Sequence, residues 1–143
     1  MATRRKVLVI PYVRAQRGGG VLLMVVKDKS HDEWTFISGG CKLYETSEQS
    51  ASRELKEETR AAVHLDLSRC ACTQFAIETD YREPAELAAD VGKVTTRYHI
   101  YLVDITGYKS IASIVRNFRR RSGSVHGVYD ENSDIHATTS GHS

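Results

Sequence analysis

The sequence predicts an α/β fold in which helices pack on a mixed β-sheet. Three observations support this prediction: short segments rich in β-branched and aromatic residues recur, a strongly polar helix interrupts them, and a second helical segment follows near the C-terminus. Strands on both sides of a helix favour layers of sheet and helix around one core. The predicted strands are 6–14, 21–26, 34–38, 61–67, 70–79, 97–105 and 129–139. One helix is predicted to begin after Thr46, and a second helix is predicted at 110–121.

The bulk composition is that of an ordinary globular protein. The chain has 143 residues, 41% of them hydrophobic and 27% charged, with a net charge of +2. This length predicts one domain over residues 1–143 that buries most of its apolar surface. The small net charge indicates no particular class of partner.

The cysteines and the hydropathy indicate the cellular setting. Three cysteines, Cys41, Cys70 and Cys72, cannot form a fully paired disulfide framework, so we expect reduced thiols and a cytoplasmic protein. No apolar run approaches the length of a membrane span, and the N-terminus lacks a signal-peptide core, so we expect no membrane contact. The oligomeric state is not predicted.

The polar helix carries three carboxylates on one face. Glu54, Glu57 and Glu58 lie at positions i, i+3 and i+4, and Arg53 lies four residues before Glu57. Such a run, taken alone, is more often a solvated helix face. Its like charges repel one another, and a hard divalent cation such as Mg²⁺ would reverse that cost. Thr46 and Gln49 have the spacing of a capping box, which predicts the start of the helix.

The spacing around this helix resembles the signature of the Nudix hydrolases. Gly39 is followed after five residues by Glu45, and Glu45 after seven residues by the run Arg53–Glu58, which supplies the paired glutamates. Residues 34–38 are similar to the usual approach to this box, and no gap is needed over 34–61. The box itself covers residues 39–61. The resemblance implies a Nudix α/β/α sandwich with a mixed sheet.

Two departures from the family pattern stand out. The family commonly has proline and glycine where this chain has Ile37 and Ser38. The glycine that normally follows the paired glutamates is replaced by Arg60. That glycine suits a left-handed residue at the helix end, so an arginine in the same conformation would cost about 1 kcal/mol.

The resemblance also implies roles for particular residues. Mg²⁺, with Mn²⁺ as an alternative, would be the cofactor. Glu45 would brace the loop against the helix, and Glu131, in a late loop, is a second candidate for the general base. The implied metal ligands are Gly39 through its carbonyl, Glu54, Glu57 and Glu58, and the implied catalytic residues are Glu57, Glu54, Arg53 and Glu131.

The implied reaction is hydrolysis of a phosphoanhydride in a nucleoside diphosphate linked to another moiety, by attack of a metal-activated water. The partner is then a nucleotide or nucleotide derivative. Two narrower or competing functions stay open: mRNA cap hydrolysis, with an RNA 5′ end as the partner, and a non-catalytic module that binds a nucleotide. A third possible class of function is a scaffold in which the acidic helix is only a surface feature.

The C-terminal part offers a second candidate site. Arginines cluster at the end of 110–121, and among them Arg119 and Arg120 are candidates for substrate binding through phosphate. Favourable interaction of cations with the helix dipole explains the same cluster without any ligand. Either 110–121 is the terminal helix of the fold, or that helix is absent beyond 139. Residues 140–143 are predicted to be a frayed tail. Aromatic residues such as Tyr12, Tyr44, Phe75 and Tyr81 can stack on a base, and core packing explains most aromatic residues equally well.

Overall fold

The computed structural model describes residues 2–14, 20–28, 33–79, 94–107, 110–121 and 133–139. Within these residues the chain forms a seven-stranded sheet and two α-helices. The strands are β1 (Ala2–Arg14), β2 (Val21–Asp28), β3 (Glu33–Thr35), β4 (Ile37–Gly40), β5 (Cys70–Thr79), β6 (Val94–Asp104) and β7 (Ser133–Thr139). The helices are α1 (Ser47–Glu58) and α2 (Ile111–Arg120), and a 3₁₀ turn covers Leu67–Arg69.

The sheet is mixed, and β1 lies in its middle. The strand order is β3-β2-β1-β6-β5, with β4 paired to β1 and β7 paired to β2. β1 and β6 run parallel over residues 2–12 and 94–104, whereas the other described pairs are antiparallel. The predicted fold class is therefore confirmed.

Pro11 marks a change of partner along β1. Residues 6–9 of this strand pair with β4, and residues 12–14 pair with β2. Pro11 falls between these two stretches and pairs with Val103 of β6 on the other side. Proline lacks the N–H that a continuous ladder needs, so it is tolerated at this interruption even though the strand is central.

One hydrophobic core joins the sheet to both helices. Val7 and Val9 of β1 are fully buried, and alternate residues of β6 point into the same core. Burying each of these large apolar side chains stabilises the fold by about 1.5–3 kcal/mol. The core members from the other strands and helices are Met24 and Val26 of β2, Ile37 of β4, Ala51 and Leu55 of α1, Tyr101 and Val103 of β6, and Ile114 and Phe118 of α2.

The strand predicted at 61–67 is wrong. Arg60 and Ala61 both have positive φ, 54° and 59°, so the chain turns sharply after α1 instead of extending. Ala62 and Val63 are buried in the core, which explains the apolar pattern there without a strand. The 3₁₀ turn at Leu67–Arg69 then leads into β5.

The other predicted elements agree with the structure apart from differences at their ends. The strand expected at 34–38 is divided at Phe36 into β3, which pairs with β2, and β4, which pairs with β1. The second helix is confirmed as α2, with Ser110 as its N-cap. The last strand is β7, and residues 129–132 and the predicted tail at 140–143 lie outside the described residues.

The structure bears on the expectations about the cysteines and about a membrane span. Cys41, Cys70 and Cys72 are free thiols. None of the helices in the described part of the chain has the length and apolar character that a membrane crossing requires. The cytoplasmic location stays a prediction.

Candidate active site

A capping box fixes the start of α1. Thr46 Oγ1 accepts a hydrogen bond from the backbone N–H of Gln49 at 3.1 Å, and Gln49 Oε1 accepts one from the backbone N–H of Thr46 at 2.9 Å. The two bonds satisfy donors that the first turn leaves unpaired, so the helix begins at Ser47, as the spacing predicted. Because the start is fixed, the positions of the carboxylates along the helix are fixed with it.

Arg53 is the centre of a network that joins α1 to the preceding turn. Its Nε and Nη2 atoms donate to the two carboxylate oxygens of Glu45 at 2.8 Å and 3.0 Å. Nη1 donates to Glu54 Oε1 at 2.9 Å and, more weakly, to Glu57 Oε2 at 3.5 Å. Nη2 also donates to the carbonyl oxygen of Gly40 at 3.1 Å. One guanidinium therefore holds three carboxylates and the glycine turn together.

Glu45 is the carboxylate that Arg53 binds most closely. Its Oε1 also accepts from the backbone N–H of Lys42 and from the Ser50 hydroxyl, each at 3.0 Å. Hydrogen bonding from Arg53, supported by these two donors, lowers the pKa of the Glu45 carboxyl from 4.5 to about 2. Glu45 is thus held ionised as the link between the β4–α1 loop and the helix.

Gly39 is in close contact with Glu54. A Cβ atom at Gly39 would overlap the Glu54 carboxylate, whereas a Cβ atom at Gly40 would meet nothing within 4 Å. The side chain of Glu54 is only 11% exposed, and this burial raises the pKa of its carboxyl, while Arg53 opposes the rise. Gly39 therefore makes room for a buried carboxylate that a nearby cation would stabilise.

The remaining two glutamates of the helix face are more accessible. The Glu57 side chain is 40% exposed, and Glu58 is half-buried. In the part of the chain that the structure describes, no three Asp, Glu, His or Cys side chains already converge as a metal site. Mg²⁺ is commonly held by one or two carboxylates, waters and the phosphates of a substrate. The oxygen donors of Glu54 and Glu57 beside the glycine turn fit an open site of this kind.

The comparison with protein families settles the assignment. The model of the NUDIX domain family matches residues 2–112. This chain belongs to the Nudix family. The predicted family is thereby confirmed, and the predicted class of enzyme, a Nudix hydrolase, is consistent with it.

Solved structures agree with this assignment at the level of the fold. A MutT/nudix family protein from Enterococcus faecalis superposes with a TM-score of 0.61 at 17% identity, covering 97% of this chain and 44% of that one. The T. brucei MERS1 protein, solved as an RNA complex, has a TM-score of 0.56 at 14% identity, covering 96% and 52%. The chain thus spans about half the length of these two relatives. A comparison with curated proteins finds no match.

Arg60, where the Nudix box usually has glycine, keeps the left-handed conformation with φ of 54°. It is buried, and its guanidinium lies 3.9 Å from the centre of the Phe118 ring and donates to the Phe118 carbonyl at 3.1 Å. In return, Arg121 Nη1 donates to the Arg60 carbonyl at 2.9 Å. These contacts offset the backbone strain and tie the end of the Nudix helix to α2.

The two predicted substrate-binding residues lie away from α1 in the sequence, on α2. Arg119 and Arg120 are exposed in its last turn. With Ala112, Val115 and Arg116 they line an open groove of about 730 Å³. Their role in substrate binding stays a prediction. Glu131, the second candidate for the general base, lies outside the described residues.

Arg5 is a contributor to the site that the sequence did not indicate. Its Nη2 donates to the carbonyl oxygens of Lys42 and Glu45 at 3.3 Å and 3.0 Å, and its own carbonyl accepts from Cys41 N–H at 2.9 Å. These contacts fasten the β4–α1 loop to β1. Arg5 is separated from the loop by about 40 residues, so no local spacing could reveal the contact.

The low pKa of Glu45 predicts a pH dependence of stability. An ionised carboxylate with a lowered pKa stabilises the fold fully above its ordinary pKa of 4.5, and that stabilisation is lost as the pH falls toward about 2. We expect Glu45→Gln to lower the free energy of unfolding at neutral pH, and the gap from the wild type to close as the pH falls through this range. Urea unfolding across the range measures the gap. Glu48→Gln, an exposed change on the same helix, is the control, and a gap for Glu45→Gln that does not change with pH would contradict the assignment.

The contacts of Arg60 predict that restoring the family's glycine destabilises this chain. Arg60→Gly relieves about 1 kcal/mol of backbone strain but removes a buried cation–π contact and a charged hydrogen bond, worth about 2 kcal/mol each. We expect a net loss of about 1–3 kcal/mol in the free energy of unfolding, measured by urea denaturation. Arg60→Lys, which keeps the charge without the planar group, should fall below the wild type as well. A more stable glycine variant would show that the contacts contribute little.

Proposed function

We propose that this protein hydrolyses the phosphoanhydride of a nucleoside diphosphate linked to another moiety, with Mg²⁺ as cofactor and Mn²⁺ as an alternative. The observation that carries the proposal is the joining of the glycine turn to the acidic face of the Nudix helix through Arg53 and Glu54. Family membership supports the reaction class. The buried Glu54 and the accessible Glu57 supply the oxygen donors that a hard cation prefers.

In this proposal Glu54, Glu57 and Glu58 hold the cation, and the Gly39 carbonyl is a further donor. When bound, the cation neutralises phosphate charge and acidifies a water. The residues of the chain then have separate tasks. Glu54 is fixed by burial and by its hydrogen bond from Arg53, so it anchors the site. Arg53 keeps the carboxylates in place and offsets their mutual repulsion.

Glu57 is the proposed general base among the box glutamates. Its side chain is 40% exposed, and its hydrogen bond from Arg53 is long at 3.5 Å, so one of its oxygens can turn to a water. The water oxygen forms a bond to phosphorus, its proton passes to the carboxylate, and the P–O bond of the anhydride breaks. The leaving phosphate keeps the bonding electrons. Glu131 stays the second candidate for this role.

A non-catalytic module that binds a nucleotide is the competing function. Loss of a box carboxylate would favour it, and Glu54, Glu57 and Glu58 are all present. Arg60, in place of the family's glycine, is the departure from the box that would favour it. The structure offers a different account of Arg60, because its contacts with α2 are those of a packing residue. We therefore favour turnover.

An RNA 5′ end is the narrower candidate substrate, with cap hydrolysis as the reaction. The observation in its favour is the exposed groove on α2, where Arg116, Arg119 and Arg120 present three cations along one side. Such a stripe matches the charge of a phosphate backbone. The T. brucei protein with a bound RNA shares the fold at 14% identity, which by itself assigns no ligand to this chain.

The test is product release from a panel of dinucleotides, sugar nucleotides, nucleoside triphosphates and capped RNA. We expect hydrolysis of at least one with Mg²⁺ and none after chelation. Glu57→Gln should lower kcat by about 100- to 10,000-fold, because it removes the proton acceptor and a metal ligand. Glu48→Gln, on the exposed part of the same helix, serves as the control. Binding of nucleotides without any release would establish the competing function, and release of the methylated cap nucleotide would identify the narrower substrate.

A further inference from the structure

The sheet has a long open edge at β5. β5 pairs with β6 on one side, and no other strand in the described part of the chain pairs with its second side. Its ten residues extend over about 33 Å at the usual rise of a strand, so a long row of backbone N–H and C=O groups faces outward. The strand at the opposite end of the sheet order, β3, has only three residues. β5 therefore offers a long surface for pairing with another strand.

β5 lacks the features that usually protect such an edge. Natural edge strands carry charged side chains, a proline or a bulge, each of which discourages pairing with a further strand. Residues 70–77 contain no charged residue and no proline. The pairing of β5 with β6 continues without a break from Cys70 to Thr79, so the described strand has no bulge. Neither the composition nor the regularity of β5 opposes a second partner.

The side chains of β5 are exposed on both faces of the sheet, because all of residues 71–78 are exposed. On one face Phe75 is 41% exposed and Ile77 is 47% exposed. Leu102 of β6 is 38% exposed and pairs directly with Ala71, so it belongs to the same face. Large apolar side chains that cluster on a surface in this way are typical of a site of association.

The charges at the two ends of β5 indicate which strand fits. Arg69 precedes the strand with a side chain that is 39% exposed, and Glu78 is exposed near the other end. A second β5 in antiparallel orientation brings Arg69 of each copy beside Glu78 of the other, whereas a parallel one sets like charges together. Arg69 also lies 3.9 Å from Asp104. Because surface ion pairs add little affinity, these charges select the orientation of the partner more than its strength of binding.

We propose that two copies of this chain pair through β5, antiparallel and about a two-fold axis at Gln74, so that their sheets become continuous. With Gln74 on the axis, Ala71 of one copy lies opposite Ile77 of the other, and Thr73 lies opposite Phe75, which joins the two apolar surfaces. About eight backbone hydrogen bonds form between the strands, a number within the range of a typical interface. A two-fold interface uses the same surface twice and closes at two copies. This inference does not depend on the proposed function.

The experiment measures self-association by sedimentation equilibrium over a wide range of protein concentration, and hydrogen exchange locates the interface. We expect a monomer–dimer equilibrium, with β5 amides that exchange more slowly as the concentration rises and β3 amides that do not. Ile77→Lys should weaken dimerisation about tenfold or more, because it removes apolar surface and adds the charge that protects natural edges. The control is Ile111→Lys, the same change at a side chain of α2 that is 39% exposed, and it should dimerise like the wild type.

An exchange of the end charges tests the orientation. Glu78→Arg should weaken dimerisation at low salt, and the double variant Arg69→Glu/Glu78→Arg should recover it. The two positions are about 30 Å apart along one extended strand, well beyond the range of screened charges, so the recovery acts only between copies. Urea unfolding of each variant separates loss of pairing from loss of folding.

The proposal is overturned if the wild type stays monomeric, which would leave a different chain as the occupant of the edge. Association that continues beyond two copies would also overturn it, as would a dimer in which the β5 amides are not protected. An Ile77→Lys variant that dimerises like the wild type would show that β5 is not the interface. Dimerisation that the double charge variant does not recover would contradict the antiparallel pairing.

Discussion

The guanidinium of Arg53 joins the acidic helix to the turn that precedes it. On one side are Glu54 and Glu57 of the acidic helix, and on the other are Glu45 and the carbonyl of Gly40 in the preceding turn. Three carboxylates near one another repel, so without a cation among them the helix face would open toward water. The fixed positive charge of Arg53 keeps them close, and its hydrogen bonds use part of their capacity to accept.

The same helix is fastened at both ends. Its start is set by the capping box of Thr46 and Gln49 and by the link from Glu45. Its end is set by Arg60, which packs against Phe118 of α2. The family match ends at residue 112, in the first turn of α2, so the contact at the helix end uses residues beyond the matched region. In this chain the end of the Nudix helix is therefore in contact with a segment that the box does not include.

Local patterns in the sequence predicted the features that depend on local spacing. The capping box, the register of the glutamates and the helix at 110–121 all follow from residues within one or two turns of each other. The sequence left open whether position 60 keeps the left-handed conformation that suits the family's glycine, and the structure shows that it does. The strand predicted at 61–67 was wrong, because a turn with buried side chains produces the same alternation of apolar and polar residues as a strand.

Long-range contacts could not be predicted in this way. The sequence gives no sign that Arg5 fastens the loop before the Nudix helix, or that Arg60 stacks on Phe118, because about 40 to 60 residues separate the partners. The change of partner along β1 at Pro11 depends equally on where β2 and β4 lie in the sheet. These features arise from packing and become visible only in three dimensions.

The contact between Gly39 and Glu54 offers the most direct measurement on the central claim, that the glycine turn and the acidic helix bind a cation as one unit. Electron paramagnetic resonance counts unbound Mn²⁺ during a titration of two matched variants. Gly39→Ala places a methyl group where the Glu54 carboxylate lies, whereas Gly40→Ala points into open space. We expect Gly39→Ala to weaken Mn²⁺ binding by about tenfold or more and Gly40→Ala to bind Mn²⁺ like the wild type. Equal binding by both variants would contradict it.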